Sequence, residues 1–195
     1  MQYGGGLRLS ECLALRVQDI DFDKRAISIR DGKGGKDRVT MLSGAVVPTP
    51  GERLSHVRIL HRQDLNAGRE NVHLPNANAP KNQNAAMDWR WRWVFPQRHR
   101  WKYGETGEQE RHQIDASLVQ TAFKTAVMNE GRTKRAGCHT ARQSLATNLI
   151  EHGYAIRTVQ ELLGHKDGRT TMIYTHVRSR GPGGVRSPLD RMEFG

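Results

Sequence analysis

The chain has 195 residues, and its 31 lysine and arginine residues against 20 aspartate and glutamate residues give a formal charge of +11. That length allows one domain with an ordinary hydrophobic core. The positive charge indicates a polyanionic partner, most often nucleic acid, although a basic ribosomal protein has the same balance. No run of 18 apolar residues and no signal-peptide core is present, so we expect no membrane partner and a cytoplasmic location.

Cysteine and histidine spacing indicates neither disulfides nor a metal centre. Cys12 and Cys138 are the two cysteines, and without a CxxC motif we interpret both as reduced cytosolic thiols. The nine histidines lack metal-ligand spacing, and the HExxH motif is absent. We therefore predict no bound metal.

The first elements in the chain are a short helix and a hairpin. Residues 7–20 predict a short helix with Ser10 as its N-cap. Two β-prone runs, 25–30 and 38–42, flank the sequence DGKGGKD, whose glycines supply a turn. Residues 25–42 are therefore predicted to form a β-hairpin.

A second helix and an insertion follow. Apolar spacing predicts a helix over about 54–68, after the Pro- and Gly-containing segment 48–51. Residues 71–113 are polar at first, then carry the sequence MDWRWRWVFP, then a charged stretch. We predict that they form an insertion containing one strand near 91–96.

The C-terminal part predicts a series of helices. A 3.6-residue apolar period spans 114–131, and further helices are predicted over about 140–152 and 156–163, each closed by a glycine. A last short helix would carry Tyr174. The order of elements predicts an α+β fold, mainly α, with a small antiparallel sheet.

Four residues in the C-terminal part can do phosphate chemistry. His139 and Arg142 are three residues apart at a helix start, a spacing that suits phosphate binding. Taken singly, this pair is more often a solvated helix face, His165 an ordinary loop histidine, and Tyr174 a half-buried core residue. Their combination favours a functional site.

Five segments together resemble the tyrosine recombinase family in the correct order: GLRLSECLALRVQDIDF, GKGGKDR, HTARQSLATNLIEHG, ELLGHKDG and RTTMIYTHV. The resemblance implies the tyrosine recombinase catalytic-domain fold. It also implies a catalytic set with Glu11 in support, namely Arg8, Lys33, His139, Arg142, His165 and Tyr174. Gln143 departs from the family pattern, in which a histidine usually follows the second arginine.

The chemistry of these side chains fits the implied reaction. Permanently charged, forked guanidiniums such as those of Arg8 and Arg142 suit the charge on a pentavalent phosphorus, with His165 as another donor. The phenol of Tyr174 is a good nucleophile and leaving group, Lys33 is the candidate general acid, and His139 is placed to take the tyrosine proton or orient the phosphate. No metal or cofactor is required, because the bond energy is kept in the protein–DNA link.

The insertion resembles that of integron integrases, which recombine folded single-stranded sites by gripping extrahelical bases. In the predicted strand, Trp91 and Trp93 would lie on one face, with Arg90 and Arg92 on the other. The favoured interpretation places the tryptophans in the core and the arginines toward solvent or phosphate. The alternative is that an unpaired base stacks on the tryptophans, so all four are candidate DNA-binding residues.

The resemblance also implies a domain organisation and partners. Residues 1–180 would be the catalytic domain and 181–195 a tail, extended until it packs on a neighbouring protomer of a tetramer on DNA. The N-terminal core-binding domain of the family would be missing, because the chain starts close to Arg8. Three hypotheses follow: a bacterial site-specific recombinase, a catalytically impaired DNA-binding fragment of one, and a generic basic RNA-binding protein.

Overall fold

The structure is a computed structural model that describes residues 1–32, 36–44, 48–68, 85–102, 109–131 and 136–165. Lys33, Tyr174 with its predicted helix, and the tail 181–195 lie outside these residues. Within the described ranges, no helix is long and apolar enough to cross a membrane.

Six α-helices and five β-strands are described, and most of the polypeptide between them is irregular. In chain order they are α1 (Gln2–Gly5), α2 (Leu9–Leu13), β1 (Ile20–Asp21), β2 (Ala26–Gly32), β3 (Lys36–Met41), α3 (Pro48–Asn66), β4 (Trp101–Lys102), β5 (Gln109–Glu110), α4 (Ala116–Asn129), α5 (Cys138–Glu151) and α6 (Ile156–Leu163). Short 3-10 helices cover Val17–Asp19, Ala85–Met87 and Trp89–Trp91. The mainly α fold with small antiparallel sheets is as predicted.

Helix α2 begins earlier than its predicted cap. Arg8 is the N-cap residue, and Ser10 lies inside the helix, so the prediction that Ser10 caps it is wrong. The side chain of Glu11 accepts a hydrogen bond from the Arg8 backbone N–H at 2.7 Å. A carboxylate three residues into the helix thus satisfies a backbone donor that a serine cap cannot reach.

The predicted hairpin is confirmed as β2 and β3, and β1 extends it to an antiparallel sheet of order β1-β2-β3. Ile27 pairs with Thr40, and Ile29 pairs with Arg38. Both isoleucines are buried in the core under the sheet. The Thr40 hydroxyl is buried as well, and it donates to the Gly5 carbonyl at 2.7 Å, which ties β3 to α1.

Helix α3 starts at Pro48, six residues before the predicted start at Leu54. Proline is tolerated in the first turn of a helix, because the N–H that it lacks has no intrahelical partner there. The Pro- and Gly-containing segment is therefore the first turn of α3 and not a break before it.

The predicted strand near 91–96 is wrong. Trp89–Trp91 forms a 3-10 helix, and the Asp88 side chain caps it by accepting from the Arg90 N–H at 2.8 Å. The chain after it is extended but makes only isolated bridges, Arg16 with Trp93 and Pro96 with Gln113. Buried side chains still alternate along this segment, but the buried positions are Arg92, Val94 and Pro96, and not the tryptophans as predicted.

A buried ion triad ties the residues that flank β4 and β5 to α3. The Asp64 carboxylate on α3 is only 5% exposed and accepts hydrogen bonds from Arg100 and Arg111. The Arg111 guanidinium is bidentate, with both nitrogen–oxygen distances 2.9 Å. Neither β4 nor β5, which these arginines flank, was predicted from the sequence.

Each of the three C-terminal helices begins and ends within about two residues of its predicted bounds. Helices α5 and α6 pack through a small cluster of buried side chains: Ala146, Ile150, Val159 and Leu163. Helix α6 ends at Gly164, whose φ of 62° is in the left-handed region that favours glycine. This turn places His165 beside the N-terminal part of the chain.

Candidate active site

A single buried carboxylate, that of Glu11, gathers three arginines from distant parts of the chain. Arg8 Nη1 lies 2.6 Å from Glu11 Oε1, and Arg38 forms two bonds of 2.8 Å, one to each carboxylate oxygen. Arg142 Nη1 lies 3.5 Å from Glu11 Oε2. The Glu11 side chain is 7% exposed, so a charge this deep requires these partners.

Backbone carbonyls fix the two arginines predicted to be catalytic. Arg142, which is 4% exposed, donates from Nη1 to the Gly6 carbonyl and from Nη2 to the Leu163 carbonyl, both at 2.5 Å. Arg8 Nη2 donates to the Gly164 carbonyl at 3.2 Å. The carbonyls at the end of α6 therefore help to hold both guanidiniums in place.

Arg38 belongs to this cluster, although the sequence analysis did not single it out. Besides its two bonds to Glu11, its Nε donates to the Leu162 carbonyl at 3.3 Å. A Cβ added at Gly164 would lie 2.8 Å from Arg38 Cδ, so the side chain passes directly over this glycine. The signal that could have revealed it is the two-residue period of β3, because Arg38 shares a face with the buried Thr40.

The arginines determine the charge state of Glu11. Burial alone would raise the pKa of this carboxyl, but hydrogen bonds from Arg38 and then from Arg8 lower it to about 2. The carboxylate therefore stays ionised at neutral pH, and the cluster of three guanidiniums and one carboxylate carries a net positive charge.

Arg8, Arg142 and His139 border one cleft of about 380 Å³. Its other walls come from residues 7–10, from α4 and from the start of α5, where the His139 side chain is exposed. Gly137 is the N-cap of α5, and its N–H donates to the Thr140 hydroxyl at 3.0 Å. The cleft thus combines two guanidiniums and an imidazole near a helix N-terminus, an arrangement that suits an anionic oxygen.

His165 is half-buried close to the arginine cluster. Its backbone N–H donates to the Gln160 carbonyl at 3.1 Å. Burial, and then the positive charges of Arg142, Arg8 and Arg38, lower the pKa of the imidazole to about 4. His165 is therefore neutral at pH 7, and a neutral imidazole still has one N–H donor.

The four candidate DNA-binding residues have different environments. Arg90 is exposed and pairs with Asp88 at 2.6 Å, whereas Arg92 is buried and donates to the Met87 carbonyl at 3.3 Å. The interpretation that both arginines face solvent is therefore wrong for Arg92. Trp91 and Trp93 are half-buried, so the interpretation that they fill the core is only partly correct.

One face of Trp93 is already occupied. The Arg16 guanidinium stacks on its ring, 3.1 Å from the ring centroid, and the same guanidinium donates to the Trp91 carbonyl at 2.7 Å. Both tryptophans line a pocket of about 430 Å³ that also contains side chains of β2. The described residues contain no group of three or more histidine, cysteine, aspartate or glutamate side chains that could hold a metal ion.

The family model for the phage integrase family matches residues 1–180. The chain belongs to this family, whose members are tyrosine recombinases. Its described part is thus a tyrosine recombinase catalytic domain, as the sequence resemblance implied.

Two curated relatives support this assignment. The chain is 48% identical over 190 residues to an integrase/recombinase of Escherichia coli, a match that covers 97% of this chain and 56% of that protein. It is 31% identical over 176 residues to the tyrosine recombinase XerD of Agrobacterium fabrum, covering 90% of this chain and 46% of that protein. The chain spans about half the length of these relatives.

The fold of the domain is also found in a solved recombinase. The crystal structure of XerA recombinase superposes with a TM-score of 0.58 at 24% sequence identity, covering 89% of this chain and 50% of that one. This similarity confirms the predicted fold.

Proposed function

We propose that this recombinase domain cleaves and rejoins DNA at specific sites through a 3′-phosphotyrosyl link to Tyr174. One observation carries the proposal: Arg8 and Arg142 come from opposite ends of the chain, yet both contact Glu11 and both border the cleft that His139 lines. Two guanidiniums at one surface form a receptor for a single phosphate.

The chemical step follows from this arrangement. The Tyr174 oxygen gives its proton to His139 and attacks phosphorus, the bond from phosphorus to the 5′ oxygen breaks, and that oxygen takes a proton from Lys33. The guanidiniums of Arg8 and Arg142 stabilise the extra negative charge of the pentavalent state, and the neutral His165 donates one further hydrogen bond. Attack by a 5′ hydroxyl on the phosphotyrosyl bond reverses the step and joins the strands.

Lys33 and Tyr174 hold their roles by sequence match. In the sequence, Lys33 lies between β2 and β3, and β3 contributes Arg38 to the arginine cluster. Tyr174 follows His165 by nine residues. We assign residues 1–180 to the catalytic domain and 181–195 to a tail that packs against a second protomer in a tetramer on DNA.

The aromatic segment supports a finer proposal, that the DNA sites are folded single strands like those of integrons. Trp91 and Trp93 line a pocket large enough for a nucleobase, and Arg90, the residue before Trp91, is exposed. Because Arg16 covers one face of Trp93, we propose that an unpaired base stacks on Trp91 or on the remaining face of Trp93. Arg92 is excluded from this surface by its burial.

A second candidate function is DNA binding without turnover. The chain spans about half the length of its curated relatives, so similarity to them does not by itself transfer their turnover to this domain. A domain that makes fewer phosphate contacts binds DNA more weakly, and its affinity depends less steeply on salt concentration. The two candidates differ in one measurable product, a covalent protein–DNA adduct.

The test is covalent capture from a pool of nicked DNA. Duplexes and hairpins with random sequence around the nick are incubated with the protein, and adducts that survive denaturing electrophoresis are sequenced. Trypsin cleavage after Arg169 and Arg178 should release peptide 170–178 carrying a nucleotide on Tyr174. Arg142→Ala should abolish the adduct, whereas Arg157→Ala, at an arginine 88% exposed on α6, should not. DNA binding without any adduct would support the second candidate.

A further inference from the structure

We propose that Arg38 is a positioning residue of this site, one that saturates the Glu11 carboxylate and so keeps Arg8 and Arg142 directed toward the cleft. The proposal rests on the proposed function, in which those two guanidiniums hold the scissile phosphate. It assigns a role to an arginine that does not itself line the cleft.

Arg8 and Arg38 fill the hydrogen-bond capacity of Glu11. A carboxylate has about four acceptor sites on its two oxygens. Oε1 accepts from Arg8 Nη1 and Arg38 Nη1, and Oε2 accepts from the Arg8 backbone N–H and Arg38 Nη2. Arg38 thus takes half of the sites, and the carboxylate is full without Arg142.

Arg142 makes only a long contact with Glu11. Its Nη1 lies 3.5 Å from Glu11 Oε2, beyond the 2.7–2.9 Å of a strong charge-assisted bond. Its short bonds go instead to the carbonyls of Gly6 and Leu163. If Arg38 left Oε2, the vacated acceptor site would attract the Arg142 guanidinium across less than an ångström, away from these carbonyls.

Arg38 is itself anchored to the end of α6. Its Nε donates to the Leu162 carbonyl, its stem passes over Gly164, and its side chain is 11% exposed. Arg8 is bound to the Gly164 carbonyl, two residues further along the chain. The end of α6 therefore fixes the positions of Arg38 and Arg8 relative to each other. Only a residue without Cβ at position 164 leaves room for the Arg38 side chain.

A lysine at position 38 cannot bind both oxygens of Glu11 as Arg38 does, because a guanidinium is planar and bidentate, whereas an ammonium group offers a single centre of charge. Arg38→Lys therefore keeps the charge and removes the bidentate geometry. The matched control is Arg157→Lys, the same substitution at a residue whose one ion pair within the described part of the chain is with Glu161 on the surface of α6.

The first measurement is independent of activity and uses the whole chain. A titration of the Glu11 carboxyl carbon by NMR should give a pKa of about 2 in the parent and in Arg157→Lys, and a clearly higher pKa in Arg38→Lys. The guanidiniums that contact Glu11 are those of Arg8, Arg38 and Arg142. The other charged residues that line a pocket with Glu11 are Arg16, Asp19, Arg30 and Asp37, and the imidazoles of His165 and His139 lie beside the arginine cluster. The Arg142 Nη resonances should shift from their parent positions in Arg38→Lys and not in Arg157→Lys.

The second measurement is the rate of adduct formation on the DNA sequences that covalent capture recovers. Arg38→Lys should lower the rate constant about 10- to 100-fold, as misplacement by a fraction of an ångström does, with DNA affinity changed less than threefold. Arg157→Lys should leave both unchanged. An unchanged Glu11 pKa with unmoved Arg142 resonances would overturn the proposal, and so would a parent-like rate in Arg38→Lys. If the parent forms no adduct, the proposed function fails, and the NMR results alone decide the role of Arg38.

Discussion

Replacing Glu11 by glutamine removes the carboxylate that pairs with Arg8, Arg38 and Arg142 and should strongly destabilise the fold. Arg38 and Arg142 are 11% and 4% exposed, so water cannot compensate for the lost partner. A fall in pKa from 4.5 to about 2 on folding corresponds to about 3 kcal/mol of stability at neutral pH. The loss of one partner from a buried ion pair costs a similar amount, about 3–5 kcal/mol.

The dependence on pH identifies the source of this stability. Because the folded pKa of Glu11 lies below the unfolded value, its contribution is complete above pH 4.5 and is lost as the pH falls toward 2. Urea unfolding followed by circular dichroism, from pH 7 to pH 3, should show a parent–variant difference of about 3 kcal/mol at pH 7 that shrinks below pH 4.5.

The matched control is Glu161→Gln on the surface of α6. Glu161 is 70% exposed and pairs with Arg157 across one helical turn, a pair worth less than about 0.5 kcal/mol. Glu161→Gln should therefore be nearly neutral at every pH. A loss below about 1 kcal/mol in Glu11→Gln at pH 7, or a difference that does not change with acid, would refute the role given to the cluster.

Three further predictions concern other parts of the structure. His165 has a pKa of about 4 against a usual 6.5, so its contribution is complete above pH 6.5 and is lost as pH falls toward 4; His165→Gln should flatten the stability curve in that window, measured by urea unfolding. Gly164→Ala should cost more stability than Gly153→Ala, by at least about 1 kcal/mol, because both have positive φ but only the first Cβ meets Arg38; equal losses in thermal melts would contradict the contact. Asp64→Asn should expose amides of β4 and β5 to hydrogen exchange while α5 stays protected, and uniform loss of protection would contradict a local anchor.

The sequence was sufficient for elements whose pattern is local. The 3.6-residue apolar period and the closing glycines located α4, α5 and α6, and the glycine-rich turn between β-prone runs located β2 and β3. Ser10 failed as a cap because the carboxylate of Glu11, three residues after Arg8, satisfies the donor instead. Local propensity alone does not rank such competing caps.

The remaining features depend on contacts between distant residues. Arg38 is one of many arginines in the sequence, and its pairing with Glu11 and the end of α6 appears only when β3 folds against them. The segment around Trp91 has the expected alternation, but the 3-10 turn capped by Asp88 sets its phase and directs Arg92 inward. A period of two identifies two faces and does not say which face is buried.

The most direct test of the central claim compares Tyr174 with Tyr174→Phe on captured DNA. Only one hydroxyl is removed, so DNA affinity should change less than about twofold, while the covalent adduct should disappear because phenylalanine has no oxygen to attack phosphorus. The account predicts an adduct with the parent and none with Tyr174→Phe at equal DNA occupancy. Adduct formation by Tyr174→Phe at the parent rate would contradict it.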